Sequence, residues 1–208
     1  MTGAASTLPG LLLLQGDSRK VSSWVSRGTV PAYVVPVGGW TAVVAAGESA
    51  AKAPYDDGLT MLANRPVPHG FRAAVGFFAL RRRAIVVAHR RGWRTIPRWL
   101  VWEPGHGAVK VQDLSALRVR DLIEVVGLAH EESSTLRSLL RTREGEPMDL
   151  LRDLIDALGL PAGRMLGGSG VPTEADAVLV TPTERDVARF ERVVGEDRAI
   201  REEQEDLQ

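Results

Sequence analysis

The 208-residue chain contains no cysteine, which excludes disulfides, thiolate nucleophiles and sulfur-ligated zinc or iron–sulfur sites and leaves only nitrogen and oxygen as metal ligands. Lysine is almost missing too: Lys20, Lys52 and Lys110 stand against 23 arginines, a ratio that a GC-rich genome produces without any demand for arginine's fork geometry. None of the three lysines follows a glycine, so there is no phosphate-binding loop whose lysine could reach a nucleotide's β- and γ-phosphates. The four histidines, His69, His89, His106 and His130, lack H-x-H, H-x-x-H and H-E-x-x-H spacings, so a metal site would have to be assembled from distant segments. Gly105-His-Gly107 and Gly168-Ser-Gly170 are not followed by the third glycine of a dinucleotide loop, and Ser169 lacks the closing glycine of a nucleophile elbow. No cofactor and no metal are expected.

Charge is absent from the first ten residues, and the apolar run Leu11 to Leu14 is too short for the core of a signal peptide, which predicts a cytoplasmic location. Gly28 to Gly47 is also uncharged, and its twenty residues have the length of a membrane span. Pro31, Pro36 and the Gly38-Gly39 pair would break a helix there. Valine-rich runs flanking Gly-Gly predict a buried hairpin instead.

What the chain does have is polarity. The 26 basic and 26 acidic residues cancel overall, yet residues 1–112 hold 14 Lys and Arg against 5 Asp and Glu, and residues 113–208 hold 12 against 21. Two halves of opposite sign attract within a Debye length of about 8 Å at physiological salt, within one chain or between chains.

The basic half reads as strands at Leu11 to Gln15, Ala32 to Val37, Trp40 to Ala45, Arg72 to Leu80, Ala84 to His89 and Arg98 to Trp102, with a further candidate at Val21 to Val25. Between them Asp56 or Asp57 can cap a short helix that must stop before Pro66. The acidic half reads as helices. Ser115 to Val126 follows Asp113 as a cap and stops at Gly127; Met148 to Leu158 follows Pro147 and stops at Gly159. Their ends match at six of nine positions, Arg120 to Leu128 against Arg152 to Leu160, a likeness that shared capping chemistry explains. Thr181-Pro182-Thr183-Glu184 has the form of a capping box and opens a helix bearing Val187, Phe190 and Val194 on one face.

The expected architecture is therefore α+β: an antiparallel sheet in the N-terminal region packed with C-terminal amphipathic helices. Its parts are a basic β-rich domain at 1–112, an acidic helical region at 113–162, a Gly-rich linker at 163–176, and a C-terminal helix at 177–208 whose acidic tail frays.

Candidate chemistry centres on arginine. Arg81, Arg82 and Arg83 form a predicted hairpin tip, while Arg90, Arg91, Trp93, Arg94 and Arg98 fall in the next connection at the opposite end of the strand. Arginine interleaved with tryptophan suits phosphates and stacked bases, but Trp99 and Trp102 lie in a run apolar on both faces and read as core, which leaves Trp93 to stack. The competing ligand is an acidic protein surface, this chain's own acidic half included. His106 beside Glu103 could pair as a base and its orienter, and Asp57 could join a pocket, but no nucleophile accompanies them. The sequence thus favours a non-enzymatic interaction or regulatory protein whose basic half binds an acidic surface or a second copy. Nucleic acid is the alternative ligand, and an enzyme with a dispersed site the remaining one; no membrane partner is expected.

Overall fold

The computed structural model describes residues 8–71, 73–92, 96–129 and 133–205, the last seven of these as backbone. Eight strands form one sheet: β1 (Gly10–Leu14), β2 (Ala32–Val37), β3 (Trp40–Ala45), β4 (Ala74–Leu80), β5 (Arg83–His89), β6 (Arg98–Glu103), β7 (Gly107–Val109) and β8 (Val178–Val180). Their spatial order is β7-β6-β5-β4-β1-β3-β2-β8, and every neighbouring pair is antiparallel. Turn chemistry sets two of the registers. Gly38 and Gly39 sit at φ of 52° and 80°, which closes β2 on β3, so the uncharged stretch is a hairpin as predicted. Arg81 and Arg82 take the same left-handed region at 49° and 62° and close β4 on β5, with Leu80 opposite Arg83. Among the described residues no helix is long and apolar enough to cross a membrane.

Both faces of the sheet are covered, in keeping with its two-sided apolar strands. On one face lie α1 (Ser18–Ser26) and α2 (Gly58–Ala63), over a core of Leu12, Leu14, Trp24, Val34, Leu62 and Phe78. The stretch at Val21 to Val25, read as a candidate strand, belongs to α1. Asp17 accepts hydrogen bonds from the Arg19 and Lys20 amides, and Val21, Trp24 and Val25 bury at i, i+3 and i+4 spacing, which decides for helix over β-propensity.

The other face carries α3 (Val119–Val126), α4 (Ser133–Arg141) and α5 (Pro147–Ala157). Helix α3 starts four residues later than the pattern suggested. Asp113 is at φ of 65° and caps nothing; Ser115 to Leu117 run extended beside β6 instead, where Leu117 donates to the Trp99 carbonyl at 2.8 Å. The paired Gly-Leu stops close alike: the Leu128 amide reaches the Ile123 carbonyl and the Leu160 amide the Ile155 carbonyl, both at 3.1 Å. Helix α4 is poorly announced by hydropathy because Leu136 is its single fully buried residue.

One core joins the two halves of the chain, since Leu11, Phe77 and Trp102 pack in the same cluster as Leu122, Leu151 and Ile155. The segment expected as a Gly-rich linker is part of it: 3-10 turns at Gly163–Met165 and Val171–Thr173 bury Met165, Leu166 and Val171. Leu166→Ala should therefore cost about 3 kcal/mol in urea denaturation, as a core truncation does, whereas a linker residue would cost nothing measurable. Beyond this segment β8 pairs with β2, and α6 (Glu184–Glu205) follows. Its capping residue is Thr183, which donates to Asp186 at 2.5 Å and accepts from the Asp186 amide at 3.2 Å. The helix continues through acidic residues that composition alone assigned to a frayed tail.

Candidate functional site

The predicted arginines do not form one patch. Arg81, Arg82 and Arg83 lie at one end of β5 and Arg90 and Arg91 at the other, about 20 Å away at ~3.4 Å per strand residue. Arg83 pairs with Glu103 at 2.7 Å, and Arg91 donates to the Gln15 side chain. Arg90 reaches Glu124 at 2.6 Å and Asp121 at 3.8 Å; Arg98 reaches Asp121 at 3.0 Å. Arg90 and Arg98 are thus neutralised by α3, and the acidic surface they attract is this chain's own. Trp93 and Arg94 lie outside the described residues, as does His130. Trp102 is buried and Trp99 half-buried against the core.

The His106 pairing is weak. Its Nδ1 stands 4.0 Å from Glu103, the ring is 73% exposed, and the carboxylate is already held by Arg83. Asp57 caps α2 through the Thr60 amide at 2.8 Å. Among the described residues no three His, Asp or Glu side chains gather as a metal site.

The structure assembles a different set. Helix α1 ends at Ser26, where the Arg27 amide donates to the Trp24 carbonyl at 3.3 Å and the Gly28 amide to that of Val25 at 2.9 Å. Arg65, just beyond α2, adds a second donor to each: its Nη1 donates to the Val25 carbonyl at 3.3 Å, its Nη2 to that of Trp24, and its guanidinium lies 3.9 Å above the Trp24 ring. Gly28 makes this approach feasible, because a Cβ there would meet Arg65 Nη1 at 2.3 Å. Burial, and then the charge of Arg27, lower the Arg65 guanidinium to about 10, so it remains a cation at neutral pH. Since the folded value lies below the unfolded one, raising the pH from neutral to 10 removes none of its contribution. Arg65→Leu should cost about 2 kcal/mol in urea denaturation and Arg27→Ala less than about 0.5, because half-buried Arg65 bonds two carbonyls and covers the Trp24 ring, whereas the Arg27 side chain makes one exposed bond to the Ser23 carbonyl.

Helix α6 docks over this corner. The Thr183 amide donates to the Ser26 carbonyl at 3.2 Å, Phe190 meets the Tyr55 ring edge-on at 5.3 Å, and Glu191 accepts from the Lys52 amide at 2.9 Å. Two adjoining hollows result. One, of about 360 Å³, has walls of Val30, Met61, Phe190 and Val194 with Arg27 and Arg65 at its rim; the other, of about 660 Å³, runs along α6 between Arg27, Arg185, Asp186, Arg189 and Arg192. Arg27 borders both. Arg192 pairs with Glu196 at 3.1 Å, and Arg27 donates to the Ser23 carbonyl. Among the described residues Arg185 and Arg189 have no carboxylate within 4.0 Å.

These arginines were absent from the sequence-based candidates because Arg27 and Arg65 are isolated in the chain. One signal was available: Arg185, Arg189 and Arg192 are spaced i, i+4, i+7, a single stripe on a helix whose other face is Val187, Phe190 and Val194. Comparison with models of known protein families, with curated proteins and with solved structures finds no match to this chain, so its function has to be read from the residues of this corner.

Proposed function

We propose that the protein is an interaction protein whose α6 cleft receives an acidic segment of a protein partner. The supporting observation is the juxtaposition just described: unneutralised guanidinium groups of Arg185 and Arg189 with Arg27 beside an apolar hollow. Carboxylates of the partner would face the arginine groove while an apolar side chain fills the space between Met61, Phe190 and Val194. A guanidinium stays protonated, so this cluster binds and orients but offers no base or nucleophile. The acidic ligand anticipated from composition is retained. Its site moves from the β5 connection, where α3 already supplies the carboxylates, to α6.

The test is fluorescence anisotropy with a short labelled peptide alternating glutamate and leucine. Binding is expected to weaken about tenfold between ~50 and ~500 mM salt, since exposed charge pairs are screened over that range. A lysine-leucine peptide should not bind. Equal binding of both peptides, or of neither, refutes the reading, and tighter binding of a single-stranded oligonucleotide would transfer the site to polyanions.

A further inference from the structure

We infer that the smaller hollow, between α1, α2 and α6, is a binding site for a small amphipathic carboxylate, one ionised carboxylate on an apolar body. The inference rests on the proposed reading only in naming what such a ligand displaces, the apolar side chain of the acidic segment.

The walls supply the apolar half of this chemistry. Buried Val30 stands with half-buried Met61, Phe190 and Val194 around a volume of about 360 Å³. Phe190 is held there by its edge-on contact with the Tyr55 ring at 5.3 Å. At ~30 Å³ for each water the hollow has the volume of about twelve waters, which suits a ligand of about as many heavy atoms. It falls at the lower end of the ~300–1,000 Å³ that ligand pockets span, and it is too small for a dinucleotide.

The rim supplies the charge. Arg27 and Arg65 both border the hollow, and among the described residues that line it there is no Asp or Glu. Neither guanidinium has a carboxylate within 4.0 Å among the described residues. Arg65 gives two of its five N–H donors to the Val25 and Trp24 carbonyls and Arg27 gives one to that of Ser23, so donors remain on both. Burial, and then the charge of Arg27, already lower the Arg65 guanidinium, and a carboxylate set between the two cations relieves their repulsion. Thr29 adds a neutral donor: it lines the hollow at 5% exposure, and its hydroxyl has no hydrogen-bond partner among the described residues. Two cations and an unbonded hydroxyl beside apolar walls select an anion with an apolar tail. A cationic ligand meets like charge there, and a neutral one forgoes the charge-assisted bonds.

The experiment is calorimetric titration of the full chain with phenylbutyrate, its neutral amide and phenylbutylamine. The carboxylate is expected to bind with a Kd of about 1 mM or below, as ligands of its size do, the amide at least about tenfold more weakly, and the amine not at all. Arg27→Gln, at an exposed position, should weaken phenylbutyrate at least about tenfold while circular dichroism stays that of wild type, and Arg81→Gln in the β4–β5 turn should leave binding unchanged. Equal binding of carboxylate and amide, no effect of Arg27→Gln, or no heat at about 10 mM carboxylate overturns the inference. Tighter binding of phenyl phosphate overturns the choice of carboxylate. The glutamate-leucine peptide separates the two readings. If phenylbutyrate binds and the peptide does not, the hollow takes small carboxylates and the acidic-segment reading fails; if only the peptide binds, the inference fails and that reading stands. Where both bind, phenylbutyrate should displace the peptide, and binding without displacement overturns the placement of the ligand in the hollow.

Discussion

Replacing Asp121 by alanine is expected to lower the unfolding free energy by about 3 kcal/mol, the largest single-residue loss we foresee outside the apolar core. The carboxylate is 1% exposed, accepts from the Arg118 amide at 2.9 Å, and faces Arg98 at 3.0 Å and Arg90 at 3.8 Å. It thereby fixes the first turn of α3 to the ends of β5 and β6. Its loss removes a cap worth about 1 kcal/mol and leaves two cations without their shared counter-charge. Arg98 and Arg90 are 29% and 33% exposed, so water can reach them in the variant, which holds the cost near the lower end of the range for buried pairs. Glu124→Ala is the contrast. Its pair with Arg90 is shorter, at 2.6 Å, but the carboxylate is 57% exposed, and the expected loss is under about 1 kcal/mol. Urea denaturation of the two variants separates a buried tie from a solvated one, and equal losses would contradict the assignment.

The second large effect is on binding. Reversing Arg27, Arg185 and Arg189 to glutamate together should weaken the acidic peptide at least about hundredfold, since three attractions of roughly 1 kcal/mol each become repulsions. Stability should change by less than about 1 kcal/mol, because all three side chains are exposed and the Arg27 bond to the Ser23 carbonyl at the end of α1 is itself open to solvent. Reversing Arg81 and Arg82 serves as the control. They are equally exposed and equally charged but stand at a hairpin tip with no apolar hollow beside them, so binding should be unchanged. A loss at the hairpin tip and none at α6 would return the site to the arginines that dominate the sequence.

The sheet was readable because its signals are local. Six strands and the Gly38-Gly39 and Arg81-Arg82 turns follow from alternation and left-handed turn positions within a few residues of each other. The errors share a physical cause. Val21 to Val25 is β-branched at its ends, and only the Asp17 cap together with burial at i, i+3 and i+4 shows it to be helix. Gly163 to Gly170 has a linker's composition, yet Met165 and Leu166 within it are buried by tertiary packing that no window of sequence contains. The nine-residue likeness of α3 and α5 shows the limit from the other side. Both helices end in the same Gly-Leu closure, but Asp121 is buried between two arginines whereas its counterpart Asp153 is exposed.

The cleft itself was hidden for a similar reason. Trp24 and Arg65 are 41 residues apart, and neither predicts that the other will stack on it. Arg27 gains its neighbours Arg185 and Arg189 only once β8 pairs with β2 and carries α6 across the α1 terminus. The opposed charge of the two halves was legible from the start; that part of it is spent inside the fold, at Arg90 and Arg98, was not.

The most direct test of the α6 cleft is a titration of the labelled chain with the glutamate-leucine peptide, followed through its backbone amide resonances. Shifts should concentrate at residues 27–30, 55, 61, 64, 65, 185, 186, 188–190, 192 and 194, which line the two hollows. Shifts confined to residues 81–83 and 90–98, or no shifts at saturating peptide, would contradict the account.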